Sequence, residues 1–224
     1  KRPIIAVPMN RNEDNRYSVD YSAFEAAIVK HDVKVFIHCN PHNPVGHVWT
    51  EDEMDQLFSI CKRHGVLIIS DEIHQDLVAG PLPFTSALTV SNGAYANNII
   101  AMSSLSKSFN MASLHHAEVI IPNEDLRRQY NACKSLVYHT DSDVIAETAI
   151  TAAYTHPEAE KWLADLLAVV KENYDYLCHN LLIALPKLRI SPMDGTYLVW
   201  IDFGAYVKAE DIRNIFENQC GIAP

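Results

Sequence analysis

Apolar residues occur along this chain in two rhythms: short unbroken runs, and longer stretches in which they recur at every third or fourth position. Lys34-Val-Phe-Ile-His-Cys39, Val66-Leu-Ile-Ile69 and Ile99 to Met102 belong to the first kind. Their length and their β-branched and aromatic content predict buried strands. Between the first two lies a stretch of the second kind. Thr50 and Glu53 form a capping box, then Met54, Leu57, Phe58 and Cys61 follow the i, i+3, i+4, i+7 spacing of one helical face, and Gly65 supplies the stop. Strand, helix, strand at this spacing is a βαβ unit, which requires parallel strands covered by helices.

The same reading extends over the whole chain. Pro3 to Met9 is strand-like, Asn10 to Asn15 a polar turn, and Ser22 to Val29 an amphipathic helix. His116 to Pro122 predicts a further strand, and Glu124 to Tyr138 and Val144 to Thr155 predict helices. A break at His156-Pro157 precedes a long helix from about Glu158 to about Leu185, with Trp162, Leu163, Leu166, Val169, Val170, Tyr174, Leu177 and Leu181 on one stripe. Leu188–Ile190 and Tyr197–Ile201 flank a turn at Asp194-Gly195 as a strand pair, and Ala209 to Cys220 closes as a helix. The expected fold class is α/β: a mostly parallel sheet with helices on both faces, and a smaller α+β domain after it. The expected division is 1–156, a connecting helix over 157–185, and 186–224.

Composition narrows the function. The formal net charge of −10 argues against a nucleic-acid or anionic-membrane partner, since counterion release needs clustered Lys and Arg. No apolar run approaches the roughly 20 residues that span a bilayer, and the strand-like opening Lys1–Val7 leads us to expect no signal peptide. Five scattered cysteines without a Cys-x-x-Cys pair fit a reduced, cytoplasmic protein. Eleven histidines without a His-Glu-x-x-His pattern read as scattered polar residues, and no metal site is expected.

Three polar residues sit where predicted strands end: Asn43 after Lys34–Cys39, Asp71 after Val66–Ile69, and Lys107 after Ile99–Met102. In open parallel sheets, ligands bind beyond the carboxyl ends of the strands. A partly buried lysine is poised to lose its charge and act as a nucleophile toward an aldehyde, and the hydroxyls of Ser104, Ser106 and Ser108 suit an anionic group. An amine, a carboxylate and an amide in one crevice are what a pyridoxal phosphate site requires. Taken singly, each residue has a plainer reading: Lys107 a surface lysine, Asp71 a helix cap, Asn43 a turn former between prolines, His74 an exposed polar residue, Glu72 a solvated one.

Asn40-Pro-His-Asn-Pro-Val-Gly46, Ser70-Asp-Glu-Ile-His74 and Ser104-Leu-Ser-Lys-Ser-Phe-Asn110, in this order, resemble the fold-type I, class I/II aminotransferase superfamily. Within it they are most similar to the MalY/PatB branch of cystathionine β-lyases and other C–S lyases. The resemblance runs through essentially the whole chain, including Gly195-Thr-Tyr-Leu-Val-Trp200. It implies Lys107 as the lysine that forms the cofactor imine and then serves as general base. It further implies Asp71 on the pyridine nitrogen, Asn43 donating to the phenolic oxygen, and His74 where many relatives carry a Tyr. Ser104 and Ser106 match positions that touch the phosphate.

His115 stands where many relatives carry an Arg, an absence common in the lyase branch, and Ala112-Ser113-Leu114 replaces the usual Ala-Gly-Leu. The resemblance also implies a homodimer acting on an amino acid, with the phosphate loop and a ring-stacking Tyr upstream of residue 1 and the substrate-binding Arg beyond Pro224. The expected activity is α,β-elimination on a sulfur amino acid. Transamination is the alternative, and a non-catalytic fragment is an alternative of another kind.

Overall fold

The structure is a computed structural model that describes residues 2–137 and 143–222. A small antiparallel hairpin, β1 (Asn10–Arg11) and β2 (Tyr17–Ser18), precedes α1 (Tyr21–His31). Next come β3 (Val35–Cys39), α2 (Glu51–Arg63), β4 (Leu67–Asp71), a short kinked α3 (Val90–Gly93), β5 (Ile99–Ser103), the single turn α4 (Leu105–Ser108) and β6 (Glu118–Ile120). Helices α5 (Glu124–Leu136), α6 (Val144–Thr155) and α7 (Pro157–Ala184) lead to β7 (Arg189–Ile190), β8 (Ile201–Asp202) and α8 (Ile212–Asn214).

The central sheet has the order β3-β4-β5-β6, with β3, β4 and β5 parallel and β6 antiparallel. The predicted βαβ unit is therefore present, and its helix begins as its sequence dictates. Thr50 Oγ1 accepts from Glu53 N at 3.2 Å while Glu53 Oε2 accepts from Thr50 N at 2.8 Å. Met54, Leu57, Phe58 and Cys61 are buried against Ile68 of β4 and Ile99 of β5, with Phe24 and Ile28 of α1 in the same core. Each large side chain buried in this way contributes roughly 1.5–3 kcal/mol. This core lies on one face of the sheet. On the other, Val35, Ile37 and Met102 remain exposed.

Several expectations are corrected. Residues 3–9 form no strand: Pro3 and Pro8 lack the N–H a ladder needs, and pairing starts instead inside the expected polar turn, at Asn10. The helix expected to reach Tyr138 ends at Leu136, and Tyr138 lies outside the described residues. No residue of α7 is fully buried, so its apolar stripe is only half covered within this chain.

The strand pair near the C-terminus shrinks to a ladder of two residues a side, because the backbone between turns through a positive φ at Thr196. Instead of a regular last helix, the chain makes one α-turn at Ile212–Asn214 and a wider π-type turn at Ile215–Gln219. Asp211 makes no side-chain capping bond to start it. Three of the eleven histidines are not scattered, either. His38, His42 and His47 all pack their rings around Trp49, and His38 and His47 are buried.

No helix among the described residues is long and apolar enough to cross a membrane.

Candidate active site

The register of the sheet brings three strand ends level. Cys39 is opposite Asp71, and Asp71 is opposite Met102. The ladder continues for one further bond on each side, Asn40 N to Asp71 O at 3.0 Å and Glu72 N to Met102 O at 2.8 Å. Because side chains alternate across a sheet, Asp71 shares its face with Cys39 and Met102, while Ser70 and Glu72 point into the core. The chain then leaves each strand in a tight segment: 40–47 carrying Asn43, 72–77 carrying His74, and 104–108 carrying Lys107.

The first segment is anchored by Asn40 rather than Asn43. Asn40 is fully buried, donates from Nδ2 to Thr85 O at 3.0 Å and accepts at Oδ1 from Trp49 N at 3.2 Å. His42 N to His47 O (2.7 Å) and Gly46 N to His42 O (2.9 Å) close the turn, and Asn43 is presented on its exposed outer side.

In the second segment, Asp71 Oδ1 accepts from Ile73 N at 3.2 Å, which turns the chain at the end of β4. Glu72 is buried, not solvated, and His74 is buried, not exposed. The His74 ring packs edge-on to Tyr197 at 5.7 Å, and its Nδ1 has no hydrogen-bond partner among the described residues. Burial lowers the His74 pKa, the Asp71 charge acts to raise it and the Lys107 charge to lower it. The ring thus feels both charges at once, which brings Asp71, His74 and Lys107 together.

In the third segment Lys107 is half-buried, and its amine has no hydrogen-bond or ion-pair partner among the described residues. Ser104 Oγ accepts from Ser106 N at 3.1 Å, donates to His116 O at 2.6 Å, and lies 2.7 Å from Ser106 Oγ. With its one proton on the His116 carbonyl, Ser104 receives the Ser106 proton, so Ser104 braces the turn and Ser106 is the hydroxyl able to reorient. Ser108 is fully buried and donates to Asp76 Oδ2 at 2.8 Å, and Phe109 stacks on Trp162 at 5.5 Å.

The sequence reading overlooked the anchoring role of Asn40 and the pairing of Ser108 with Asp76. The only sequence signal for them was position: an Asn one residue beyond β3, an Asp two residues after His74, and a Ser directly after the lysine.

Fold and site together define an α/β protein whose polar cluster sits at the carboxyl edge of a largely parallel sheet, around a lysine and an aspartate from adjacent strands. The chain belongs to the aminotransferase class I and II family, whose model matches residues 2–223. It is similar to Protein MalY of Escherichia coli, 36% identical over 203 residues, covering 90% of this chain and 50% of that protein. It is also similar to cystathionine beta-lyase PatB of Bacillus subtilis, 33% identical over 194 residues, covering 87% of this chain and 49% of that protein. The PLP-bound C-S lyase of Staphylococcus hominis superposes with a TM-score of 0.88 at 30% identity, covering 97% of this chain and 55% of that one. The chain spans about half the length of the curated relatives it matches.

Proposed function

We propose that this chain carries the lysine-bearing part of a pyridoxal-phosphate-dependent carbon–sulfur β-lyase, which cleaves a sulfur amino acid to pyruvate, ammonia and a thiol. The observation that carries this reading is the row Cys39–Asp71–Met102, which delivers Asn43, Asp71 and Lys107 to one edge of the sheet. The residues fit the cofactor. Lys107 has an amine without a partner among the described residues, and His74 Nδ1 is buried and unpartnered beside the Asp71 and Lys107 charges.

When bound, pyridoxal phosphate supplies an aldehyde for the amine and an electron-withdrawing ring for the carbanion. Lys107 would be the residue that holds the cofactor through its amine and, when free of it, the base that would take the proton from the substrate Cα. Asp71 would face the ring nitrogen, where its negative charge would favour the protonated form. Asn43 would donate to the phenolic oxygen, with His74 in the same neighbourhood. Ser106 would be the hydroxyl available to the phosphate, while Ser104 braces the turn through His116 O. The lyase names among the relatives and the His-containing Ser70–His74 motif support elimination over transfer. The reading includes a cytoplasmic homodimer with an amino acid as substrate.

The test is the full-length protein with pyridoxal phosphate and cystathionine alone. Pyruvate and free thiol are expected without any 2-oxo acid, and both vanish in Lys107→Ala. Turnover only when a 2-oxo acid is added would replace this reading with transamination.

A further inference from the structure

Lys107 lies in α4, a single turn of four residues. One helical turn has no stability of its own, so contacts outside it decide where the lysine sits. Ser104 ties its start to His116 O at 2.6 Å. Phe109, just past its end, stacks on Trp162 at 5.5 Å and meets Tyr154 edge-on at 6.4 Å. These contacts lead to β6, α6 and α7, and Tyr154 of α6 itself lies beside Gln75 and Asp76. A further contact ties the turn directly to the segment that follows β4. Ser108, fully buried and adjacent to the lysine, donates to Asp76 Oδ2 at 2.8 Å. Asp76 belongs to the segment that follows Asp71, a compact turn closed by Gln75 N to Glu72 O and Leu77 N to His74 O, both 2.9 Å.

We propose that Asp76 and Ser108 are positioning residues for Lys107: their hydrogen bond joins the turn carrying the amine to the turn carrying Asp71 and His74. The proposal rests on the reading of Lys107 given above. The acceptor is a carboxylate, so the bond is charge-assisted and directional. It is made by the neighbour of the lysine, so it fixes the backbone while leaving the amine free to move between cofactor and substrate. Breaking it lets α4 shift relative to Asp71, which changes the field at the amine.

The experiment uses the full-length protein loaded with pyridoxal phosphate and follows the visible band of the bound cofactor against pH. A second readout is the pH dependence of Lys107 acetylation by acetic anhydride in the cofactor-free protein, located by mass spectrometry. Ser108→Ala and Asp76→Ala are each expected to move the midpoint of both titrations by about half a unit or more. Asp76→Asn, which keeps an acceptor, moves it less. The double variant Asp76→Ala/Ser108→Ala moves it no further than either single change, because the two residues act as one unit.

Unmoved midpoints in Ser108→Ala, or additive shifts in the double variant, overturn the proposal. A lowered melting temperature with unmoved midpoints does so too, since it marks a purely structural bond. If Asp76→Ala does not fold, Ser108→Ala decides alone. Lys107→Ala separates the two readings: persistence of the visible band there refutes the site assignment itself.

Discussion

Glu72 Oε2 accepts a hydrogen bond of 2.8 Å from Ser86 Oγ, so the carboxylate next to Asp71 turns its back on the site and fastens the 85–87 segment to the sheet. Its other oxygen accepts from Ser70 Oγ and Ala87 N, each at 2.9 Å. Glu72→Ala strands three donors in the core and is expected to cost about 2–5 kcal/mol. Glu72→Gln keeps acceptors for most of them and costs less than half as much. Urea unfolding midpoints of the two variants measure the difference, and equal losses would contradict the bonding described.

Stability is expected to fall in acid through His38. Burial, then the charges of His42 and His47, push its pKa from the ordinary 6.5 down to about 3. The folded value is depressed, so the unfolded chain binds the proton first. The contribution is whole above about pH 6.5 and drains away as pH falls toward about 3, at roughly 1.4 kcal/mol per pH unit. His38→Phe, placed among Phe36, Trp49 and Phe58, removes that part of the slope. Denaturation curves at a series of pH values compare the two; parallel slopes would exclude His38 as the source.

Gly195 sits where a side chain cannot. A Cβ there would lie 2.7 Å from Pro41 Cβ, 2.9 Å from Pro41 Cγ and 3.0 Å from Val48 Cγ2. The proline ring cannot swing aside, so Gly195→Ala is expected to cost about 1–3 kcal/mol. Pro41 belongs to the turn presenting Asn43, so the same change is expected to weaken pyridoxal phosphate binding. Equilibrium titration of the cofactor alongside thermal melting checks both effects.

Arg16 meets Asp194 through both guanidinium nitrogens, Nη2 to Oδ1 at 3.2 Å and Nη1 to Oδ2. Asp194 is buried, while Arg16 is more than a third exposed. Arg16→Ala leaves a buried carboxylate without its counter-ion and is expected to cost about 1–3 kcal/mol at neutral pH. Adding Asp194→Asn is expected to restore part of that loss, because no charge is left unpaired. A double variant less stable than Arg16→Ala alone would argue against charge burial as the cause.

The elements legible in advance were those whose local chemistry admits one answer. The capping box of α2, the unbroken runs of β3, β4 and β5, and the Pro157 start of α7 appear where the residues say. The errors fall where long-range contacts decide. The β1–β2 hairpin bears on the C-terminal segment through Arg11–Asp202 at 2.6 Å and Trp200 Nε1 to Tyr17 OH at 2.9 Å, pairings that are about 190 and 180 positions apart along the chain. No window of sequence contains both partners.

The sequence by itself determined the βαβ order and the succession of amide, carboxylate and lysine, since strand runs, caps and motif residues are local properties of the chain. Only the tertiary structure decided that Cys39, Asp71 and Met102 stand in one row, that Glu72 faces inward, and that Ser108 holds Asp76. Register, facing and side-chain partnership are set by which surfaces pack together, and packing is a relation between distant segments.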